Sequence, residues 1–314
     1  MAKKKYIHTA PNFSAGKDRK VVEAIVDQVR GVPGVRLIDY FPDADFNRTP
    51  VELIGEPEPL FETLLNMAGK AYELIDMEKH KGKHPRIGAQ DTIPLFPLRN
   101  IDLEECKELA FRLGNAIWEK YHVPVYFAGQ NARTPQRREI SFIREGQYEG
   151  LKQLLEENVD NKEILESRAP DLGEGRLSVH AGATIVSAGE RNLVAVNVIL
   201  NTTDLDIAKQ IAKMVRGPSG GFSTIRAVAF TPDGYSEAAV SMNMFDTEQT
   251  PLYRVVQLIR DEAERLGTSV KGTQLSGAFP AKVLLQCADH YLRLLDFKPH
   301  QLLEHNLLEL SYES

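Results

Sequence analysis

The stretch VRLIDYFPDADFNRTPVELIGEP, Val35 to Pro57, places two β-rich segments on either side of a turn-forming centre. Residues 35–41 and 49–57 contain the β-branched and aromatic side chains that are typical of strands. Residues 42–48 collect proline, aspartate and asparagine, which favour turns. The stretch therefore predicts two consecutive strands joined by a polar connection.

A helix is predicted on each side of these strands. Val21, Val22, Ile25 and Val29 recur at the spacing of one helical face, and Gly31 follows where a C-cap belongs. Residues 59–80 repeat the apolar helical spacing after the second strand.

Short extended segments enclose this unit. Residues 5–14 read as a strand running into a loop, and TIPLFPLRN (92–100) reads as a strand whose two prolines favour an edge position. The order is β-α-β-β-α-β, and a further helix (102–122) and strand (123–129) follow.

The same order returns in the second half of the chain. A strand at Leu193–Leu200 and a helix at 202–217 precede a hairpin (224–245) with the turn signal PDG; a helix, a short strand and a final helix follow within 250–295. We therefore predict an α/β (α+β) protein of two ferredoxin-like βαββαβ subdomains side by side, 1–182 and 183–314. A cleft between them would be the substrate site.

Composition narrows the functional class. The net charge of −6 over 314 residues argues against a nucleic-acid-binding protein, and no apolar segment approaches the length that spans a membrane. The two cysteines, Cys106 and Cys287, lie in amphipathic helical segments and are expected to be reduced. These features predict a cytoplasmic protein.

The segment KHKGKHPRIGAQD, Lys79 to Asp91 and hereafter the cationic segment, is the strongest candidate for chemistry. His80 and His84 are four residues apart, but Gly82 and Pro85 disfavour the continuous helix that a zinc site would use, so no metal is predicted. A histidine here can act as general acid and base, and Arg86 and the lysines would attract a carboxylate substrate. An exposed loop is the alternative interpretation.

Other polar residues beside turns are candidates for substrate binding. Arg48 can hold a carboxylate through paired hydrogen bonds, whereas the asparagines and aspartates could instead serve turn formation. The predicted substrate-binding set is Asn12, Asp43, Asp45, Asn47, Arg48, Arg86, Asn197 and Asn243.

Six motifs taken together resemble the glutamate formimidoyltransferase family, the folate-dependent enzymes of histidine breakdown. They are PNFSAG (11–16), DADFNRT (43–49), LIDMEKHKGKHPRIGAQD (74–91), VPVYFAG (123–129), GATIVSAGERNLVAVNVIL (182–200) and GTQLSGAFP (272–280). The chain is similar to the stand-alone prokaryotic form, without the cyclodeaminase domain of the mammalian fusion.

The resemblance implies an activity and its residues. The formimino group of N-formimino-L-glutamate would pass to N5 of tetrahydrofolate, a co-substrate, giving 5-formiminotetrahydrofolate and L-glutamate. His84 matches the family's catalytic histidine. On chemical grounds, Asp43 or Asp45 would either orient its imidazole or hold the amidinium of the donor; spacing does not choose between the two roles. The folate-binding loop matches Leu172, Gly173, Glu174, Gly175, Arg176, Leu177, Ser178, Val179, His180 and Ala181.

Two alternatives stay open at this stage. The protein could transfer a formyl group between 5-formyltetrahydrofolate and glutamate, or serve as a non-catalytic folate-binding module. The loop at 172–181 lacks the aromatic and proline residues of the mammalian domain, and Phe46 stands where stand-alone relatives often have histidine. A homodimer is the expected assembly.

Overall fold

The computed structural model describes residues 3–232 and 234–313, with side chains as far as Leu308. The chain forms two compact units, residues 1–190 and 191–314. The division falls later than the predicted boundary at residue 182 because the strand Thr184–Ala188 pairs with strands of the first unit.

The first unit contains seven strands and six helices among its described residues. In chain order they are β1 (Tyr6–Thr9), β2 (Asn12–Phe13), α1 (Arg19–Val26), β3 (Val35–Tyr40), β4 (Thr49–Gly55), α2 (Pro57–Leu74), β5 (Gln90–Arg99), α3 (Leu103–Tyr121), β6 (Val125–Gly129), α4 (Ile140–Ile143), α5 (Gln147–Glu157), α6 (Lys162–Arg168) and β7 (Thr184–Ala188).

These strands form one mixed sheet. β3 pairs with β4, the short strands β1 and β2 lie between β4 and β5, and all of these pairings are antiparallel. β7 then joins β5 to β6 in parallel. The predicted strand–turn–strand of residues 35–57 is therefore confirmed, and β7 and β6 extend the sheet beyond the β-α-β-β-α-β order.

The predicted edge position of the proline-containing strand is wrong. β5 is internal, with β1 and β2 on one side and β7 on the other. Pro94 lies opposite the interruption between β1 and β2, since Thr9 pairs with Leu95 and the next paired residue, Asn12, lies opposite Thr92. The missing N–H of Pro94 is tolerated there, and its carbonyl still accepts a hydrogen bond from the Thr9 hydroxyl at 2.6 Å.

The helices begin where their local sequence predicts. The Asp18 side chain caps α1 by accepting from the Lys20 and Val21 amides, and Asp102 and Glu105 form a capping box at α3. The apolar faces of α1, α2 and α3 pack on the sheet in one continuous core. α2 ends at Leu74, so the cationic segment lies outside it.

The second unit has a four-stranded antiparallel sheet with the order β11-β8-β10-β9. Its elements are β8 (Val194–Leu200), α7 (Leu205–Val215), β9 (Ile225–Phe230), β10 (Ala239–Met244), α8 (Leu252–Arg265), β11 (Val270–Ser276), α9 (Lys282–Leu292) and α10 (Leu303–Glu313). The β9–β10 hairpin is confirmed, although Asp233 of its turn lies outside the described residues. The core of this unit forms where α7 and α8 pack on the sheet.

The mixed α/β architecture is thus confirmed. No described helix combines the length and the apolar character needed to cross a membrane. Both cysteines carry free thiols, with Cys106 buried in α3.

Close backbone contacts hold the cationic segment against its neighbours. A Cβ placed on Gly88 would lie 2.0 Å from the Ala183 carbonyl oxygen, and one on Gly82 would lie 2.4 Å from the Phe46 carbonyl oxygen. Neither backbone can yield without moving a strand or a turn. Glycine is therefore required at both positions.

We expect Gly88→Ala to lower the free energy of unfolding by about 1–3 kcal/mol, as overpacking does in well-packed interiors. Gly150 in α5 is the matched control, because its added Cβ meets nothing within 4 Å. Gly150→Ala should be neutral or stabilising by up to about 1 kcal/mol, because alanine favours helix. Urea unfolding of both variants measures the difference. Equal stability would show that the Gly88 contact is not restrictive.

Candidate active site

Asn47 joins three loops at the start of the cationic segment. Its side-chain oxygen accepts hydrogen bonds from the amides of Gly16 and Lys17, at 3.0 and 3.1 Å. Its side-chain nitrogen donates to the Lys81 carbonyl at 2.9 Å, and its own carbonyl lies 3.0 Å from Nε2 of His80. Asn47 was predicted to bind substrate, but these contacts give it a structural role.

Arg86 is likewise committed to the protein interior. Its side chain is 4% exposed, and both terminal nitrogens bind the Glu149 carboxylate, at 2.8 and 2.6 Å. Nη1 also donates to Gln147 at 2.9 Å, and Nε donates to Nδ1 of His80 at 3.1 Å. Since its donors are engaged, we assign Arg86 to positioning rather than to the predicted contact with substrate.

The same contacts fix His80. Its Nδ1 accepts from Arg86, so its Nε2 carries the hydrogen and donates to the Asn47 carbonyl. Both ring nitrogens are therefore used within the protein. Among the described residues, no group of three or more His, Cys, Asp or Glu side chains is arranged to hold a metal ion.

His84 differs from His80 in having an unpartnered ring nitrogen. Nδ1 is buried and makes no hydrogen bond, while the backbone amide of His84 donates to the Phe46 carbonyl at 3.3 Å. Burial lowers the pKa of the imidazole to about 3, with further lowering by the positive charges of Arg144, Arg48 and Arg86 and by His80. The ring is neutral at physiological pH.

Neither Asp43 nor Asp45, the expected acidic partners of His84, forms a hydrogen bond with its Nδ1. Asp43 uses one carboxylate oxygen to accept from the Phe46 amide at 2.9 Å, closing the 43–48 turn. Asp45 is exposed and pairs with Lys83 at 3.0 Å.

Two arginines that act electrostatically on His84, Arg48 and Arg144, share the buried carboxylate of Asp91. Asp91 is fully buried; one of its oxygens accepts from the Ile87 amide at 2.8 Å and the other from Nη2 of Arg144. Nε of Arg144 and Nε of Arg48 are both buried without a hydrogen-bond partner. Burial lowers the pKa of Arg48, and Arg144 lowers it further, while Asp43 and Asp91 oppose this effect.

Two further buried amide oxygens lack partners, those of Asn12 and Gln90. Gln90, next to Asp91 in the chain, donates to the Asn12 carbonyl at 3.1 Å and the Thr92 carbonyl at 3.0 Å. The side-chain oxygens of Asn12 and Gln90 have no partner, and both residues are almost fully buried. Buried polar groups are normally hydrogen-bonded, so these atoms mark a place suited to a polar ligand.

The predicted folate loop, 172–181, lies against the cationic segment. The His180 carbonyl accepts from the Met77 amide and the Ala181 carbonyl from the Ala89 amide, both at 2.8 Å. The Val179 carbonyl accepts from the Tyr148 hydroxyl at 2.6 Å. A surface cavity of about 610 Å³ is lined by the Glu174, Arg176, Leu177 and Ser178 part of the loop and by Trp118, Glu119, His122 and Pro124.

The remaining predicted ligands lie in the second unit, on the sheet face opposite α7 and α8. Asn197 donates to Gln274 at 3.2 Å. Asn243 lines a cavity of about 270 Å³ together with Arg216, Arg226 and Ser241.

Sequence comparison identifies the family. The family model of the formiminotransferase domain's N-terminal subdomain matches residues 6–189, and that of the formiminotransferase domain matches residues 195–310. The chain belongs to the formiminotransferase family. The predicted resemblance is thereby confirmed.

Relatives of two kinds are similar to this formiminotransferase-family chain. Glutamate formimidoyltransferase of Streptococcus pyogenes is 37% identical and is aligned over 97% of the chain and 99% of its own length. Glutamate formimidoyltransferase of Thermoplasma acidophilum is 34% identical over 96% of the chain and 97% of its own length. Formimidoyltransferase-cyclodeaminase of Gallus gallus is 36% identical over 92% of the chain but only 53% of its own length.

Sequence reasoning did not single out Asp91 and Arg144 in the formiminotransferase-family chain. Asp91 lies at the start of the apolar strand β5, a position that could have been recognised. Arg144 follows the short helix α4, and no local pattern connects it with His84.

The depressed pKa of His84 makes a prediction about stability. An unfolded histidine titrates near pH 6.5, so between about pH 6.5 and 3 the unfolded chain binds more protons at this residue than the folded chain. His84 therefore destabilises the fold increasingly as the pH falls through this range.

His84→Gln should gain about 2–3 kcal/mol of unfolding free energy relative to wild type when the pH is lowered from 7.5 to 4.5. Urea unfolding of both proteins at the two pH values provides the measurement. An unchanged difference between the proteins would show that His84 titrates normally in the folded state.

Proposed function

We propose that the chain is a glutamate formimidoyltransferase that moves the formimino group of N-formimino-L-glutamate to N5 of tetrahydrofolate, with His84 as general acid and base. The observation that carries the assignment of His84 is its buried, unpartnered Nδ1 on a neutral ring. Membership of the formiminotransferase family and similarity to the stand-alone glutamate formimidoyltransferases along almost their whole length support the reaction.

The chemistry requires one proton to move between two nitrogens. N5 forms a bond to the formimino carbon, and the bond from that carbon to the glutamate nitrogen then breaks. His84 takes the proton that N5 loses and returns it to the departing glutamate nitrogen. A single imidazole can perform both transfers because it is neutral before the reaction and regains that state afterwards.

The fixed surroundings of His84 support this role. The close backbone approaches at Gly82 and Gly88 restrict the segment on either side of the imidazole. Arg86, through Glu149 and His80, ties the same segment to α5 and to the 43–48 turn. These contacts limit the motion of the ring. Proton transfer requires that the imidazole stay within hydrogen-bonding distance of the reacting nitrogens.

For the co-substrate, we propose that residues 172–181 contribute to folate binding. Three consecutive carbonyls of this loop, those of residues 179–181, already accept hydrogen bonds from Tyr148, Met77 and Ala89. Its outer residues Glu174 and Arg176 remain exposed beside Trp118, whose ring is suited to contact a flat heterocycle. Of the predicted substrate ligands in this unit, Asn12 and Arg48 keep unpartnered atoms and are retained.

Each unit contains a sheet order that supports the ferredoxin-like interpretation. In the first unit β5, β1 with β2, β4 and β3 are neighbours, and in the second unit β11, β8, β10 and β9 are neighbours. In both, the first and last strands of the β-α-β-β-α-β unit lie side by side, as the split βαβ arrangement requires. The homodimer and the cytoplasmic location stay predictions.

We expect His84→Gln to reduce kcat for formimino transfer by about 10²- to 10⁴-fold, the usual contribution of a general acid–base. KM should change little, because the imidazole acts mainly in the transition state. Steady-state kinetics with N-formimino-L-glutamate and tetrahydrofolate test this, with exposed His300→Gln as the control that keeps full activity. Wild-type turnover by folded His84→Gln protein would overturn the assignment.

A parallel assay with 5-formyltetrahydrofolate and glutamate separates the formyl-transfer alternative. Mass spectrometry of the folate and glutamate products should show His84-dependent turnover with the formimino donor. Turnover with the formyl donor alone would identify a folate-salvage reaction. No turnover with either pair, together with retained folate binding, would indicate a non-catalytic binding module.

A further inference from the structure

Arg48 and Arg144 form a two-arginine group next to His84 whose charges are incompletely balanced by the protein. Asp91 is the fully buried carboxylate that faces them, and it already accepts from the Ile87 amide and from one nitrogen of Arg144. Asp43 also faces Arg48, but one of its oxygens is used in the turn. Two guanidinium groups thus share carboxylates that have other partners.

The unused atoms of this group require an acceptor. Nε of Arg48 and Nε of Arg144 are buried donors without partners, and a guanidinium has no acceptor atom of its own. Arg144 lies at the end of α4 and Arg48 in the turn before β4. Although they belong to separate elements, both lie close enough to His84 for their charges to lower its pKa. A carboxylate offers two oxygens that can accept from two such donors.

We propose that Arg48 and Arg144 together bind one carboxylate of the acidic substrate beside His84, and that the bound carboxylate converts His84 into an effective base. This inference rests on the proposed function, because glutamate is the acidic part of the substrate. It adds Arg144 to the binding residues and gives the arginines a second effect besides affinity.

The second effect follows from the charges around the imidazole. Burial is the largest cause of the low pKa of His84, and Arg144 and Arg48 are the next two, ahead of Arg86 and His80. A base with a pKa of about 3 has little tendency to accept a proton at neutral pH. A carboxylate bound by both arginines would offset their field, and the pKa of His84 would rise.

The buried, unpartnered oxygens of Asn12 and Gln90 have the opposite hydrogen-bonding character. They can only accept hydrogen bonds, whereas Nε of Arg48 and Nε of Arg144 can only donate. A ligand that satisfied all four atoms would carry both a carboxylate and N–H groups. A formimino-substituted amino acid has this combination.

The test follows His84 by NMR of the imidazole C–H groups, with His84→Gln identifying the signal, in the intact protein at low salt. Saturating L-glutamate should raise the pKa of His84 by about one to three pH units, the effect of an opposite charge nearby. L-Glutamine amide, in which both carboxylates are replaced by amides, should leave it unchanged. No rise with glutamate at saturation would overturn the proposal.

Variants of the arginines separate charge from structure. Arg144→Gln and Arg48→Gln should each raise the pKa of His84 in the ligand-free protein while weakening glutamate binding about tenfold or more, as expected for loss of a charged hydrogen bond. Arg144→Lys keeps the charge and should keep the low pKa, but it loses the planar geometry and binds glutamate more weakly. Exposed Arg138→Gln is the matched control and should change neither quantity.

Having both Arg144→Gln and Arg48→Gln keeps the proposal testable if one of these variants does not fold. Arg144→Gln leaves buried Asp91 without a side-chain partner and could unfold the protein, in which case Arg48→Gln decides. If neither folded variant changed glutamate affinity, the carboxylate site would be excluded. If the enzyme turned over but glutamate left the pKa of His84 unchanged, this inference would be rejected and the transferase function would stand. If glutamate raised the pKa of His84 but no turnover occurred, the carboxylate site would stand and the transferase function would be rejected.

Discussion

The buried guanidinium of Arg86 is the interaction on which the site depends most. It joins His80 to Glu149 and Gln147, so that the cationic segment is attached at once to α5 and, through His80 and Asn47, to the 43–48 turn. Removing one partner from such an arrangement leaves a buried charge without compensation, which commonly costs about 3–5 kcal/mol. The backbone around His84 is thereby held in an irregular conformation without helix or strand.

Histidines and arginines around the cationic segment differ in whether their polar atoms are hydrogen-bonded within the protein. His80 and Arg86 use their polar atoms on each other and on the protein, whereas His84, Arg48 and Arg144 retain buried nitrogens without partners. His80 and Arg86 hold the cationic segment in place, whereas His84, Arg48 and Arg144 keep nitrogens that can bind a ligand. The two histidines of the cationic segment therefore differ in their hydrogen bonding because their neighbours differ.

Local features were predictable from the sequence, whereas features that depend on distant residues were not. The caps at Asp18 and Asp102 and the strands on either side of residues 42–48 follow from neighbouring side chains. The internal position of β5 could not be predicted, because it depends on pairing with β7, whose residues were not recognised as a strand and were placed in the second subdomain.

The same limit applies to the site. His84 was predicted from its sequence context and from the family resemblance, and its buried, unpartnered Nδ1 is compatible with that prediction. Asn47 and Arg86 use their polar atoms within the protein, and such internal hydrogen bonding cannot be read from residue type. Arg144 was missed because α4 brings it to Asp91 only in the folded chain.

The most direct test of this account is a crystal structure of the protein with N-formimino-L-glutamate. The account predicts that one substrate carboxylate lies about 3 Å from Nε of both Arg48 and Arg144, the ordinary hydrogen-bond distance. The formimino group should then lie beside His84 and within reach of the Asn12 and Gln90 oxygens. A substrate bound elsewhere, with these atoms still without partners, would contradict the account.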